Sequence, residues 1–118
     1  MSNKVFILDE ITVIPGKVRE YYDAYMRDYA PGARNRGMTL ESVRLTPPFE
    51  WLEGSNTVHF QWSVADTAGW WTMRIGGAGA DFDPSGQKQG DFWKRAAALT
   101  VGRRRNVLVD FKDAGEQT

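Results

Sequence analysis

The first apolar segment, Lys4 to Ile14 (KVFILDEITVI), limits the fold more than any other feature of the chain. It is rich in β-branched residues and ends at Pro15-Gly16, so it reads as a strand closed by a turn. Both of its alternating sets are apolar: Val5, Ile7, Ile11 and Val13 on one side, Phe6 and Leu8 on the other. A strand with one wet face alternates cleanly between apolar and polar, so this one is expected to be covered on both faces. From Lys17 the period changes. Val18, Tyr22, Tyr25, Met26 and Tyr29 recur at helical spacing while most charged residues lie off that stripe. Pro31-Gly32 is expected to interrupt this helix or open a second turn, with Gly37 as the C-terminal stop.

Met38 to Thr46 reads as a second strand, closed by Pro47-Pro48, which cannot continue a ladder. Pro48 to Asn56 is a connecting loop or wide hairpin with Gly54 at its tip. Thr57 to Val64 (TVHFQWSV) alternates fully, with Val58, Phe60, Trp62 and Val64 on one face and Thr57, His59, Gln61 and Ser63 on the other. Asp66 or Thr67 can cap a short helix over Ala68 to Ile75. Gly76 to Gly90 is a Gly-rich stretch. Asp91 to Val101 reads as a helix capped by Asp91 and stopped by Gly102, Arg105 to Phe111 as the last strand, and Lys112 to Thr118 as a polar tail. The order β-α-β-β-α-β predicts an α+β, ferredoxin-like domain spanning residues 1–118, with core 4–111. Its four-stranded antiparallel sheet would carry helices on one face. The second face then needs cover, and the same face of a second copy supplies it most simply, so a homodimer paired sheet to sheet is expected.

Composition enters as exclusions. Lys+Arg and Asp+Glu are both 15 in 118 residues, so the chain is neutral and no nucleic-acid partner is expected. Without cysteine there are no disulfides, thiolate metal sites or cysteine nucleophiles. A single histidine without close carboxylates is a poor ligand set, so no metal is expected. No apolar run reaches membrane-spanning length and no signal-peptide core is present, so a cytoplasmic protein without a membrane partner is expected.

Lys4 to Phe111 resembles the dimeric α/β-barrel superfamily, in which two ferredoxin-like monomers pair sheet to sheet. The resemblance rests on Ile11 to Lys17 (ITVIPGK), Tyr29 to Gly37 (YAPGARNRG), Phe60 to Trp71 (FQWSVADTAGWW) and Arg103 to Val109 (RRRNVLV). The late strand–Asp–Trp pattern is most similar to NIPSNAP-like proteins. The resemblance implies the fold, and it brings in a range of activities: cofactor-free monooxygenases on polycyclic aromatics, small isomerases and cyclases, haem enzymes, and proteins without assigned activity. Fold alone does not choose among them.

Five Trp, six Phe and four Tyr give the chain a heavy aromatic load. Tyr22, Tyr25, Trp62, Trp70 and Trp71 can line a cavity between sheet and helices that suits a hydrophobic aromatic or polyketide-like molecule. The plainer alternative is that these rings pack only against one another. Arg74 lies one helical turn from Trp70 and Trp71 and can stack on either ring or hold an oxyanion. His59 can serve as a general base, or it can be a histidine hydrogen-bonded within the sheet or across the dimer interface. Trp62 and His59 alternate, so the two cannot line one helix-side pocket. Asp9 and Glu10 point to opposite faces, with Arg44 and the Arg103–Arg104–Arg105 run as partners; a structural ion pair is the favoured reading there. The sequence thus points to a small enzyme of monooxygenase, isomerase or cyclase type, with no cofactor, and otherwise to a non-catalytic ligand-binding or interaction protein.

Overall fold

The computed structural model describes residues 4–70 and 91–114. Strands β1 (Val5–Val13), β2 (Thr39–Thr46), β3 (Thr57–Val64) and β4 (Thr100–Val109) form one antiparallel sheet in the order β2-β3-β1-β4. Between β1 and β2 the chain forms helix α1 (Val18–Ala24), a π-helical turn (Tyr25–Tyr29) and helix α2 (Ala30–Asn35). Residues 67–70 and 91–96 are also helical, and Ala97–Leu99 adds a 3-10 turn. The helices lie on one face of the sheet, so the predicted ferredoxin-like α+β architecture is the observed one.

β1 alternates without a break. Val5, Ile7, Asp9, Ile11 and Val13 are buried beneath the helices, while Phe6, Leu8, Glu10 and Thr12 are half-buried on the uncovered face. The carboxylate on the helix side is therefore Asp9, and Glu10 is on the open side.

The first helical segment differs from expectation in two ways. Pro31 does not interrupt it: Pro31 sits in the first turn of α2, directly after the π turn. The inward stripe is Val18, Tyr21, Tyr25, Tyr29, Ala30 and Ala33, with Tyr22 and Met26 half-buried beside it. In a straight α-helix, residues four apart drift by about 40° per step, so three such steps would carry Ala33 about 120° from Tyr21. The wider π turn underwinds the segment and cancels much of that drift. Gly37, at φ 92°, stops the segment as expected.

The last strand also starts earlier than its sequence suggests. Gly102 does not stop a helix; it pairs with Thr12 inside β4, and Thr100 pairs with Val13 beyond a bulge. Arg103 and Arg104, exposed on this edge strand, extend it upstream of Arg105, and an edge strand tolerates such charge. Asp66 caps the helical residues after β3, its Oδ1 accepting the Gly69 N–H at 2.6 Å. The loop between β2 and β3 is tied by Asn56, which is 1% exposed. Its Oδ1 accepts the Trp51 N–H at 2.8 Å, and its Nδ2 donates to the Phe49 carbonyl at 2.8 Å and the Thr46 carbonyl at 3.3 Å. That loop still leaves Phe49, Trp51 and Leu52 exposed.

Candidate functional site

Beneath the helices the aromatic residues close around one buried polar chain. The Trp62 indole N–H donates to the Tyr25 hydroxyl at 2.7 Å, and that hydroxyl donates to Asp9 Oδ2 at 3.1 Å. Arg105 grips the same carboxylate with both ends of its guanidinium, Nε to Oδ1 at 2.6 Å and Nη2 to Oδ2 at 2.7 Å. Its Nη2 also donates to the Tyr29 hydroxyl at 2.8 Å. Burial alone would lower the Arg105 pKa, but hydrogen bonds and charge from Asp9 and Tyr29 outweigh it and raise the pKa. Burial, with Asp9 next to it, pushes the Tyr25 phenol well above its ordinary range. Every side chain of this chain has a partner, so Asp9 and Arg105 form a satisfied ion pair that ties β1 to β4 under the π turn.

The rings around it leave little space. Tyr25 stacks on Phe60 with centroids 3.6 Å apart, lies 6.4 Å from Trp62, and meets Phe92 edge-on at 5.9 Å. Tyr25 and Trp62 are fully enclosed. Tyr22 stacks on Phe60 at 6.3 Å, and its outer side lines a cleft of about 280 Å³ with Val18, Arg19, Val43, Leu45 and Glu50. Arg19 donates to Glu50 at 2.8 Å across that cleft. Trp70 is half-buried, and its backbone N–H donates to the Asp66 carbonyl at 3.0 Å. Trp71 and Arg74 lie outside the described residues.

His59 is on the other side of the sheet. Register aligns four side chains across the uncovered face in the order Arg44, His59, Glu10, Arg104. His59 Nε2 is 2.9 Å from the Thr46 hydroxyl, and one row further on the Thr12 and Thr57 hydroxyls are 2.9 Å apart. Without Arg44, whose guanidinium donates to the Ser42 hydroxyl at 2.8 Å, these residues line a shallow concavity of about 420 Å³, with Gly102 and Arg103 at its β4 side. In the other direction the same face turns apolar through Leu8, Phe6 and Leu108. Among the described residues no three His, Asp or Glu side chains gather as metal ligands. The fold thus brings Tyr22, Tyr25 and Trp62 together and keeps His59 apart from them. Sequence reasoning passed over Tyr21 and Trp93. Tyr21, Tyr25 and Tyr29 stand four apart, a spacing that the π turn makes meaningful. Trp93 lies under Arg103, whose guanidinium carbon is 3.5 Å from the ring centroid.

Neither a protein-family model nor a curated protein sequence matches the chain. Solved structures do. A NIPSNAP family protein from Agrobacterium tumefaciens superposes with a TM-score of 0.65 at 16% identity, covering 92% of this chain and 95% of that one. A NIPSNAP domain protein from Burkholderia xenovorans gives 0.66 at 16% identity, covering 95% and 99%. SnoaB, a cofactor-independent oxygenase from Streptomyces nogalater, gives 0.55 at 16% identity, covering 98% and 96%. At these identities the likeness is one of fold. It agrees with the resemblance to NIPSNAP-like, ferredoxin-fold proteins read from the sequence.

Proposed function

We propose, from a ferredoxin-like fold shared with NIPSNAP proteins and with a cofactor-independent oxygenase, that this chain is a small enzyme of the same cofactor-free kind. It acts on a hydrophobic aromatic or polyketide-like molecule, in a monooxygenase, isomerase or cyclase reaction, and works as a homodimer. The observation that carries the reading is His59 at the centre of the uncovered face, between Arg44 and Glu10, in a concavity of about 420 Å³. That volume suits a small organic ligand. In the tautomer that donates Nε2–H to Thr46, Nδ1 is left as an acceptor, as a general base requires. Removal of a proton from an acidic phenol or carbon acid is a step common to the three reaction types. The cation Arg104 lines the same concavity, beside the place where the resulting anion would form, and Leu8 and Phe6 offer an apolar bed for the body of the ligand. A second copy laid over this face would enclose the concavity and cover Phe6, Leu8 and Leu108.

The test has two steps. A panel of aromatic acids, quinones and steroids is screened by tryptophan fluorescence quenching, and compounds that bind are incubated aerobically and analysed for product. His59→Gln is expected to lower turnover by about 100-fold or more while ligand affinity stays within about threefold. Failure to quench across the panel would rule out the aromatic ligand, and unchanged turnover in His59→Gln would rule out the base. Light scattering tests the dimer, since a mass near 13.3 kDa would refute it. A second reading, a binding protein without catalysis, is favoured by the Tyr22 cleft, which is mainly apolar and whose one carboxylate, Glu50, is engaged by Arg19. Binding without turnover, abolished by Tyr22→Ala and unaffected by His59→Gln, would establish that reading.

A further inference from the structure

The segment α1–π turn runs back along β1, and four helical residues advance about as far as two strand residues, roughly 6 Å against roughly 6.7 Å. The helix side of the sheet is therefore built in matched tiers. In one tier Tyr25 stands over Asp9, and Asp9 pairs across the ladder with Arg105. One step along, Tyr21 takes the place of Tyr25, Ile11 that of Asp9, and Arg103 that of Arg105, because Ile11 pairs with Arg103. The two tiers share a tyrosine and an arginine, but only the first has a carboxylate between them. The consequence shows in the bonds. Asp9 and Arg105 are fully engaged. Tyr21 is 0% exposed, and its hydroxyl has no hydrogen-bond partner among the described residues. Arg103 stacks on Trp93 and makes no ion pair or side-chain hydrogen bond among the described residues.

A buried hydroxyl without a partner is uncommon in folded proteins, and a cation held in place by an aromatic ring, without a counter-ion, is prepared for an anion. We propose that Tyr21 and Arg103 form an anion-receiving site. It takes the carboxylate, or the equivalent enolate or phenolate oxygen, of a small aromatic molecule that approaches along the exposed edge of β4. The ligand supplies the acceptor that Asp9 supplies in the neighbouring tier. Burial holds the Tyr21 phenol protonated, above its ordinary range, with Arg103 the leading group acting in the opposite direction. The phenol therefore enters the site as a donor. Trp93 beneath Arg103, with the Phe92 ring 4.8 Å from it, offers the aromatic neighbourhood such a ligand needs. The proposal goes beyond the catalytic reading and does not depend on His59.

The probes are 1-naphthoate and its neutral isostere 1-naphthamide, titrated against the full chain by calorimetry and tryptophan fluorescence. Naphthoate is expected to bind at least tenfold more tightly than naphthamide. Arg103→Gln should weaken naphthoate by at least tenfold and Tyr21→Phe by about fivefold, while naphthamide affinity moves less than twofold in either variant. Without ligand, Tyr21→Phe should melt at the same temperature as the parent or higher, because it deletes a polar group that has no partner. Equal affinity for the two probes, no binding of either, or naphthoate affinity unchanged in both variants would overturn the site. A Tyr21→Phe variant that melts several degrees lower without ligand would also overturn it, because the hydroxyl would then be serving a structural bond, such as one to an internal water.

Discussion

Replacing Asp9 by Asn isolates what the buried ion pair contributes to folding. Asp9 is 0% exposed and the Arg105 side chain 29%, so the substitution leaves a largely desolvated guanidinium facing a neutral amide. Asn presents one acceptor oxygen where the carboxylate presents two. One of the two Arg105 bonds, at 2.6 and 2.7 Å, is lost outright, and the other no longer reaches a charge. Breaking a buried pair from one side costs about 3–5 kcal/mol. The partial exposure of Arg105 and the bond it keeps to Tyr29 place this case at about 3 kcal/mol. For a domain of 118 residues, unfolding entropy of about 0.25 kcal/mol per degree converts that to a Tm lower by about 12 °C. Urea denaturation followed by far-UV circular dichroism measures it directly. The companion variant Asp9→Leu/Arg105→Met removes both charges and leaves the Tyr25 hydroxyl its Trp62 partner. It is expected to recover at least half of the loss. A loss below about 1 kcal/mol in Asp9→Asn would refute the assignment of a strong buried pair. So would a double variant no better than the single one, which would show that shape and not charge governs the site.

Other expectations follow from the same packing. Tyr21 and Tyr25 have folded-state pKa values raised by burial above the unfolded value near 10, so the unfolded chain releases these protons first. Their contribution is fully present below pH 10 and is lost as pH rises, at about 1.4 kcal/mol per pH unit for each phenol. Urea midpoints at pH 9, 10 and 11 should therefore fall steeply. Tyrosinate absorbance of the folded protein that rises with ordinary midpoints for all four tyrosines would contradict this. Asn56→Ala removes the tie between β2 and β3 and is expected to cost about 2–4 kcal/mol. Faster hydrogen exchange across residues 47–56 should accompany it, and an unchanged urea midpoint would refute the role given to the Asn56 amide.

Much of the fold was legible in the sequence because alternation and periodicity carried it. Thr57 to Val64 shows strict alternation, and it is β3 at those bounds. The Asp9–Arg105 pair was also accessible, since a carboxylate inside an apolar strand needs a cation from another strand. Which of Asp9 and Glu10 faced the helices was not, because the apolar residues on both sides of β1 conceal its inward side until the helices are in place. The start of β4 was hidden because Thr100 and Val101 were read as the end of a helix and Gly102 as its stop, while Arg103 and Arg104 belong to the strand for reasons of edge position and cross-strand partners. Tyr21 was missed for a different reason. A constant period of 3.6 places Tyr22 on the stripe, and only an underwound turn brings Tyr21, Tyr25 and Tyr29 into line. His59 was found by its chemistry, yet its separation from the aromatic cluster was already implied by the odd spacing between His59 and Trp62.

The Tyr25–Tyr29 turn also bears on how this chain can be redesigned or compared with others. It takes up one more residue than an ordinary helical turn of the same span, so it behaves as an insertion absorbed without a loop. Deleting one residue within it would restore a regular helix and swing Ala30 and Ala33 out of the core by about a quarter turn. A relative lacking the turn would align with this chain only through a single-residue gap inside a helix. Heptad-based repacking that counts residues and not turns would aim every substitution after Met26 at the wrong neighbour.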